Sequence, residues 1–133
     1  MRKQDLIYIA GFFDGEGSIN IVKTKFKSGP YLQISASNTN KEVIEFIYKI
    51  LQKGSISQWL RKGGKKAYQW KTQYKSAGEI LKLLLPYLKV KKEKAKLGIE
   101  FQKLMGKVGK QPLTEKEIKI REKYRQKMCS LNK

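Results

Sequence analysis

The chain has 133 residues, and 30 Lys and Arg against 11 Asp and Glu leave a formal net charge of +19. That length suits one domain, and a hydrophobic content of 40% means that the charge does not signal disorder. One cysteine and no histidine exclude a disulfide framework, a Cys-rich zinc site, His-ligated metals and every imidazole general base.

The first residues run from basic to apolar, as a signal peptide would, but the apolar run is short, follows Asp5 and ends in DGEG. That pattern argues against a leader, and no segment is long enough to span a membrane. The expectation is a soluble intracellular protein, in the cytoplasm or an organelle. Residues 5–14 predict a short helix with Asp5 near its start and glycines past its end. From Ser18 to Lys27 the chain alternates and is rich in Ile, Val, Thr and Phe, which predicts a strand. Its outward face stays open between Asn20, Val22 and Thr24 on one side and Ile19, Ile21 and Lys23 on the other. KSGP turns the chain into YLQISASN, a second strand with Leu32, Ile34 and Ala36 on one face. Tyr31, Gln33, Ser35 and Ser37 share the opposite face. Thr39 to Glu42 reads as a capping box that opens a helix with Val43, Ile47, Ile50 and Leu51 as its core stripe and Gly54 as its end.

A second hairpin follows, with SISQWLR and AYQWKTQY flanking KGGKK, whose two central glycines suit positive φ. Tyr68 and Trp70 share one face of the later strand, and Ala67, Gln69, Lys71 and Gln73 the other. In the earlier strand Trp59 and Arg61 share a face; Arg61 is the contact candidate and Trp59 stays open between core and groove. Ser76 to Glu79 predicts another capping box before ILKLLLPYL, whose leucines join Met105 in the expected core. A helix from about Lys89 carries Val90, Leu97, Phe101 and Leu104, and GKVGKQP is a loop. Thr114 to Glu117 caps a last helix with Ile120, Tyr124, Met128 and Leu131 on its apolar side.

The expected fold is α+β, a single domain over residues 1–133, with a helix-β-β-helix-β-β-helix core over about 5–105 and a C-terminal helix at about 114–130. Its two hairpins form one four-stranded antiparallel sheet with helices on one face. The other face is polar and donor-rich, which suits the major groove of DNA. A field of this sign repels itself and is relieved by a polyanion. A merely solvated sheet face also alternates, but it would mix charges, and Asp and Glu are absent from all four runs.

IAGFFDGEG, residues 9–17, resembles the motif of the LAGLIDADG homing endonucleases, with Glu16 in place of its second Asp. The resemblance extends through the element order and includes LKVKKEKA after the second hairpin, similar to a Lys-rich segment of single-motif members. It implies a site-specific double-strand DNA endonuclease of intron homing. Such an enzyme lays two sheet saddles on a long pseudo-palindromic target and cuts near the dyad, leaving short 3′ overhangs. Gly11 and Gly15 line one helix face without side chains, so two such faces can approach closely, by analogy with membrane helices. The resemblance places Ala10, Gly11 and Gly15 where two motif helices pack, and a chain with one motif then needs a second copy, as a homodimer.

Paired Glu16 carboxylates would repel unless a cation lay between them, and Mg²⁺ suits such oxygen ligands. The resemblance assigns Glu16 and the Gly15 carbonyl to that ion, for which Mn²⁺ can substitute, and gives Asp14 a structural part. With no histidine in the chain, activation of water falls to the ion. The resemblance also places Asn40 near the attacking water, with helix capping as its alternative. Thr39 as the cap would leave the Asn40 amide free. Lys91 is placed near the scissile phosphate, where its charge would act electrostatically, with Lys89 in reserve. The expected DNA contacts are Tyr31, Gln33, Ser35, Ser37, Arg61, Gln69, Lys71, Gln73 and Lys89. The rival readings are an intron-RNA maturase or a non-cleaving DNA-binding regulator on the same fold, and a basic RNA-associated structural protein that needs neither an acid at residue 16 nor a dimer.

Overall fold

Alternating runs form strands β1 (Gly17–Val22), β2 (Tyr31–Asn38), β3 (Ser55–Leu60) and β4 (Lys66–Gln73) of one antiparallel sheet in the order β1-β2-β4-β3. The computed structural model describes residues 1–24, 29–106 and 114–133. Helices α1 (Lys3–Glu16), α2 (Lys41–Leu51), α3 (Tyr74–Leu84), α4 (Lys92–Gly106) and α5 (Glu115–Leu131) complete the fold, with a 3-10 turn at Leu85–Tyr87. The expected α+β architecture is therefore present. The end of the first predicted strand and the GKVGKQP loop, beyond Gly106, lie outside the described residues.

Register sets the two faces of the sheet. Ile19 lies opposite Ile34, Ile34 opposite Thr72, and Ala36 opposite Trp70, and all of these are buried. Against them pack Ile9 and Phe13 of α1, Ile44 and Ile47 of α2, Leu81 and Leu84 of α3, and Phe101 of α4. Burial on this scale contributes roughly 1.5–3 kcal/mol per large side chain. The Trp70 indole N–H donates to the Lys53 carbonyl at 2.8 Å, so the largest core residue leaves no orphan donor. In the second hairpin Gly63 and Gly64 take φ of 93° and 80°, as the turn requires.

Several local expectations change. The first helix does not stop at residue 14 but runs through Gly15 and Glu16, closed by the Gly17 N–H on the Phe13 carbonyl. Core packing of Ile9, Ala10 and Phe13 outweighs the glycine penalty of about 1 kcal/mol per residue. In α2 the expected Ile47 and Leu51 are buried and Val43 and Ile50 are half-buried against the core, but Ile44 joins them, and Gln52 rather than Gly54 ends the helix, in the left-handed region. No side chain caps α3, because its first turn starts at Tyr74 and Glu79 pairs instead with Lys53. Leu83, Val90, Leu104 and Ile120 are exposed, while Leu97, Phe101 and Met128 are buried. Thr114 does cap α5, its hydroxyl accepting from the Glu117 N–H at 3.2 Å.

Candidate active site and nucleic-acid face

The register resolves the polar face strand by strand, because directly paired residues project to the same side. Ser18, Asn20 and Val22 lie opposite Ser35, Gln33 and Tyr31. Gln33, Ser35 and Ser37 lie opposite Gln73, Lys71 and Gln69. Lys71, Gln69 and Ala67 lie opposite Ser55, Ser57 and Trp59. Asn20 and Val22 therefore belong to the polar face, and so does Trp59, 44% exposed. Arg61 continues the Trp59 side into the turn, where its N–H bonds the Lys65 carbonyl at 2.8 Å. Ser35 departs from expectation: at 8% exposure it is buried in the central strand between Ser18 of β1 and Lys71 of β4.

Two contacts organise this face. The Gln73 amide donates to Gln33 Oε1 at 2.9 Å. Tyr31 stacks on Tyr74 with ring centroids 5.1 Å apart. Tyr74, which the sequence reading passed over, holds φ 57°, a left-handed conformation costing an ordinary residue about 1–3 kcal/mol. Neither contact is visible in local sequence, because each joins β2 to residues about 40 positions on, at the end of β4 and the start of α3.

At the other end of the sheet, α1 delivers the motif acids to different fates. Asp14 is fully engaged: Oδ2 accepts from the Lys89 N–H at 2.8 Å and Oδ1 from the Lys91 N–H at 3.0 Å. The Lys91 ammonium returns to the Asp14 carbonyl at 2.6 Å. Glu16 is exposed and makes no hydrogen bond or salt bridge among the described residues. The structure brings Lys91 and Glu16 together: burial and the Lys94 charge lower the Lys91 pKa, while the Asp14 and Glu16 carboxylates pull it back up.

Asn40 requires a correction. It is itself the N-cap of α2, its Oδ1 accepting from the Val43 N–H at 3.2 Å. Thr39 does not take that place because Asn38 Oδ1 accepts the Asn40 N–H at 2.8 Å and turns the chain one residue later. Asn40 faces an open groove shared with Tyr8, Val43 and Phe46, so only its Nδ2 end is uncommitted to the cap.

Ala10 is a second correction. It is fully buried in the chain's own core, because the 100° step per residue puts it beside Ile9 and Phe13. The exposed stripe of α1 is instead Gln4, Ile7, Tyr8, Gly11 and Gly15. A Cβ placed on Gly11 or Gly15 would meet nothing within 4 Å.

No cluster of three or more acidic, Cys or His side chains able to hold an ion occurs among the described residues. With Asp14 committed to backbone N–H groups, the donors left are the Glu16 carboxylate and the Gly15 carbonyl, one of the last four of its helix and without an intrahelical partner. This all-oxygen pair fits a hard divalent cation that takes few protein ligands.

The family model described as LAGLIDADG endonuclease matches residues 9–108. No curated protein matches the chain in sequence. Among solved structures, the homing endonuclease I-CvuI, in complex with the I-CreI target in the presence of Mg, is 23% identical. The match covers 97% of this chain and 82% of that one, with a TM-score of 0.80. The archaeal intron-encoded homing endonuclease I-Vdi141I, complexed with DNA, is 20% identical over 98% of this chain and 85% of that one, at a TM-score of 0.79. I-GzeII, a LAGLIDADG homing endonuclease in complex with its DNA target, is 24% identical; 100% of this chain covers 46% of that one, at a TM-score of 0.75. No helix among the described residues is long and apolar enough to cross a membrane.

Proposed function

The chain belongs to the LAGLIDADG endonuclease family, and on that premise we propose that it is a homodimeric, Mg²⁺-dependent endonuclease of intron homing that cuts a long pseudo-palindromic DNA site. The observation that carries this reading is Glu16: an exposed acid, without a hydrogen bond or salt bridge among the described residues, at the tip of the motif helix and within the field of Lys91. A solvated loop acid would have no reason to stand beside a partly desolvated lysine at the end of a basic, polar sheet.

The dimer reading rests on α1. Its outer stripe exposes Ile7 and Tyr8 around Gly11 and Gly15, an apolar surface open enough for a second helix to approach closely. I-GzeII has a chain of which this one covers 46%, so one copy here corresponds to about half of it. Two copies related by a twofold axis would bring their Glu16 carboxylates together and set two polar sheet faces on one duplex.

In that assembly Glu16 and the Gly15 carbonyl would hold Mg²⁺, or Mn²⁺ in its place, which supplies Lewis-acid polarisation and lowers the pKa of water. Lys91 would set its ammonium against the charge that develops on the scissile phosphate. Asn40 would orient the attacking water through Nδ2. Gln33, Ser37, Gln69, Lys71, Gln73 and Arg61 would read base edges and phosphates, while Lys89 holds backbone phosphate. Cuts near the dyad would leave short 3′ overhangs.

The test is a digest by purified protein of DNA carrying the intronless insertion junction, with Mg²⁺ and with chelator. Glu16→Gln should bind this DNA and leave it intact, and cleavage by that variant sinks the metal assignment. A strict monomer by solution mass measurement sinks the dimer. Splicing of intron RNA that persists in Glu16→Gln would move the reading toward a maturase.

A further inference from the structure

We infer that Asp14 is the positioning residue for Lys91: its carboxylate fastens the Lys89–Lys91 strap to the end of the motif helix and so sets where the Lys91 ammonium stands relative to Glu16. The inference rests on the proposed role of Lys91 at the scissile phosphate. Among the described residues, of the neighbouring Lys89, Lys91, Lys92, Lys94 and Lys96 only Lys91 hydrogen-bonds α1 through its ammonium.

The geometry is reciprocal. Lys91 is the residue before α4, and its carbonyl accepts the first helical bond, from the Ala95 N–H at 2.9 Å. Its own N–H ends on Asp14 Oδ1 at 3.0 Å, and the Lys89 N–H ends on Oδ2 at 2.8 Å. The Asp14 carboxylate thus sits at the positive end of α4, and the Lys91 ammonium, on the Asp14 carbonyl at 2.6 Å, sits at the negative end of α1. Between the two anchored residues Val90 is 76% exposed, so apolar packing does not hold the middle of the strap. Both carboxylate oxygens are spent on this one segment, across 75 and 77 residues of sequence.

A cap of purely structural use would affect folding and leave Lys91 chemistry alone. A positioning residue acts through Lys91, so its removal should cost nothing further once Lys91 is gone. The experiment compares Asp14→Asn, Lys91→Met and the double variant for single-turnover cleavage, DNA affinity and thermal midpoint. Asp14→Asn should slow cleavage on the order of 10–100-fold, the scale of a misplacement near 1 Å, with DNA affinity unchanged. The double variant should cleave as slowly as Lys91→Met alone. Asp14→Glu keeps both acceptors but lengthens the tether by a methylene, and should fold and still cleave slowly. Parental cleavage by Asp14→Glu, or losses that multiply in the double variant, overturn the inference while leaving the role of Lys91 intact. Parental cleavage by Lys91→Met overturns that role and the inference with it.

Discussion

Asn132 donates from its side-chain amide to the carbonyl oxygen of Ile19 at 3.0 Å, tying the end of α5 to the outermost strand β1. An open edge strand is a template for unwanted pairing, and here α5 packs against it. The same amide reaches Asn20 Oδ1 at 3.3 Å, so α5 also orients a residue of the polar face. Asn132→Ala should cost about 1 kcal/mol, the usual net worth of such a bond, read as a lower urea midpoint with faster amide exchange in β1.

Glycines of the motif divide by what surrounds them. A Cβ on Gly17 would fall 2.3 Å from the ring of buried Phe13, so Gly17→Ala should lose about 1–3 kcal/mol by overpacking. Gly11→Ala and Gly15→Ala meet nothing in the single chain and should gain up to about 1 kcal/mol of helix propensity. The same two variants should dissociate the proposed dimer and lose cleavage. Sedimentation alongside thermal melting separates the effects, and a stable, active dimer from Gly11→Ala counts against packing of two motif helices.

Tyr124 joins α5 to α4 through its hydroxyl, which donates to Glu100 Oε1 at 2.9 Å. Burial and the Glu100 carboxylate both raise its pKa above the usual value of about 10. A folded-state pKa above the unfolded one contributes stability that is fully present below the unfolded value and lost as pH rises through the folded one. Alkaline titration should therefore weaken the docking of α5 above about pH 10. Tyr124→Phe should lack that component in a comparison of melting temperatures across pH.

Gln33 and Gln73 are hydrogen-bonded to each other on the polar face, so they should act as one reading unit. Replacing either with Ala should relax preference at the same base pair by about 1–3 kcal/mol, the scale of one bidentate base contact. The double variant should lose little more than either single one. Binding assays against a library of single base-pair changes check this, and preferences relaxed at two separate positions would refute it.

The sequence by itself determined the four strands, the five helices and the side of β2 and β4 that faces away from the core. Each of these follows from a local periodicity, two residues in a strand and 3.6 in a helix. The nine-residue motif likewise carried Glu16, Gly11 and Gly15 into view. Sequence reading failed where one residue's part depends on a distant one. Ala10 belongs to the core because α1 turns that face toward the sheet. Asn40 takes its alternative part, the cap, through a local choice, because Asn38 two residues back turns the chain first. The open faces of β1 and β3 closed only with register. The resemblance already separates a structural Asp14 from Glu16, but only tertiary structure supplies the partners of Asp14, the backbone of Lys89 and Lys91, and leaves Glu16 exposed, without a hydrogen bond or salt bridge among the described residues. Local pattern decides which atoms a segment offers, whereas the energy of burying or bonding them depends on what the rest of the chain brings alongside.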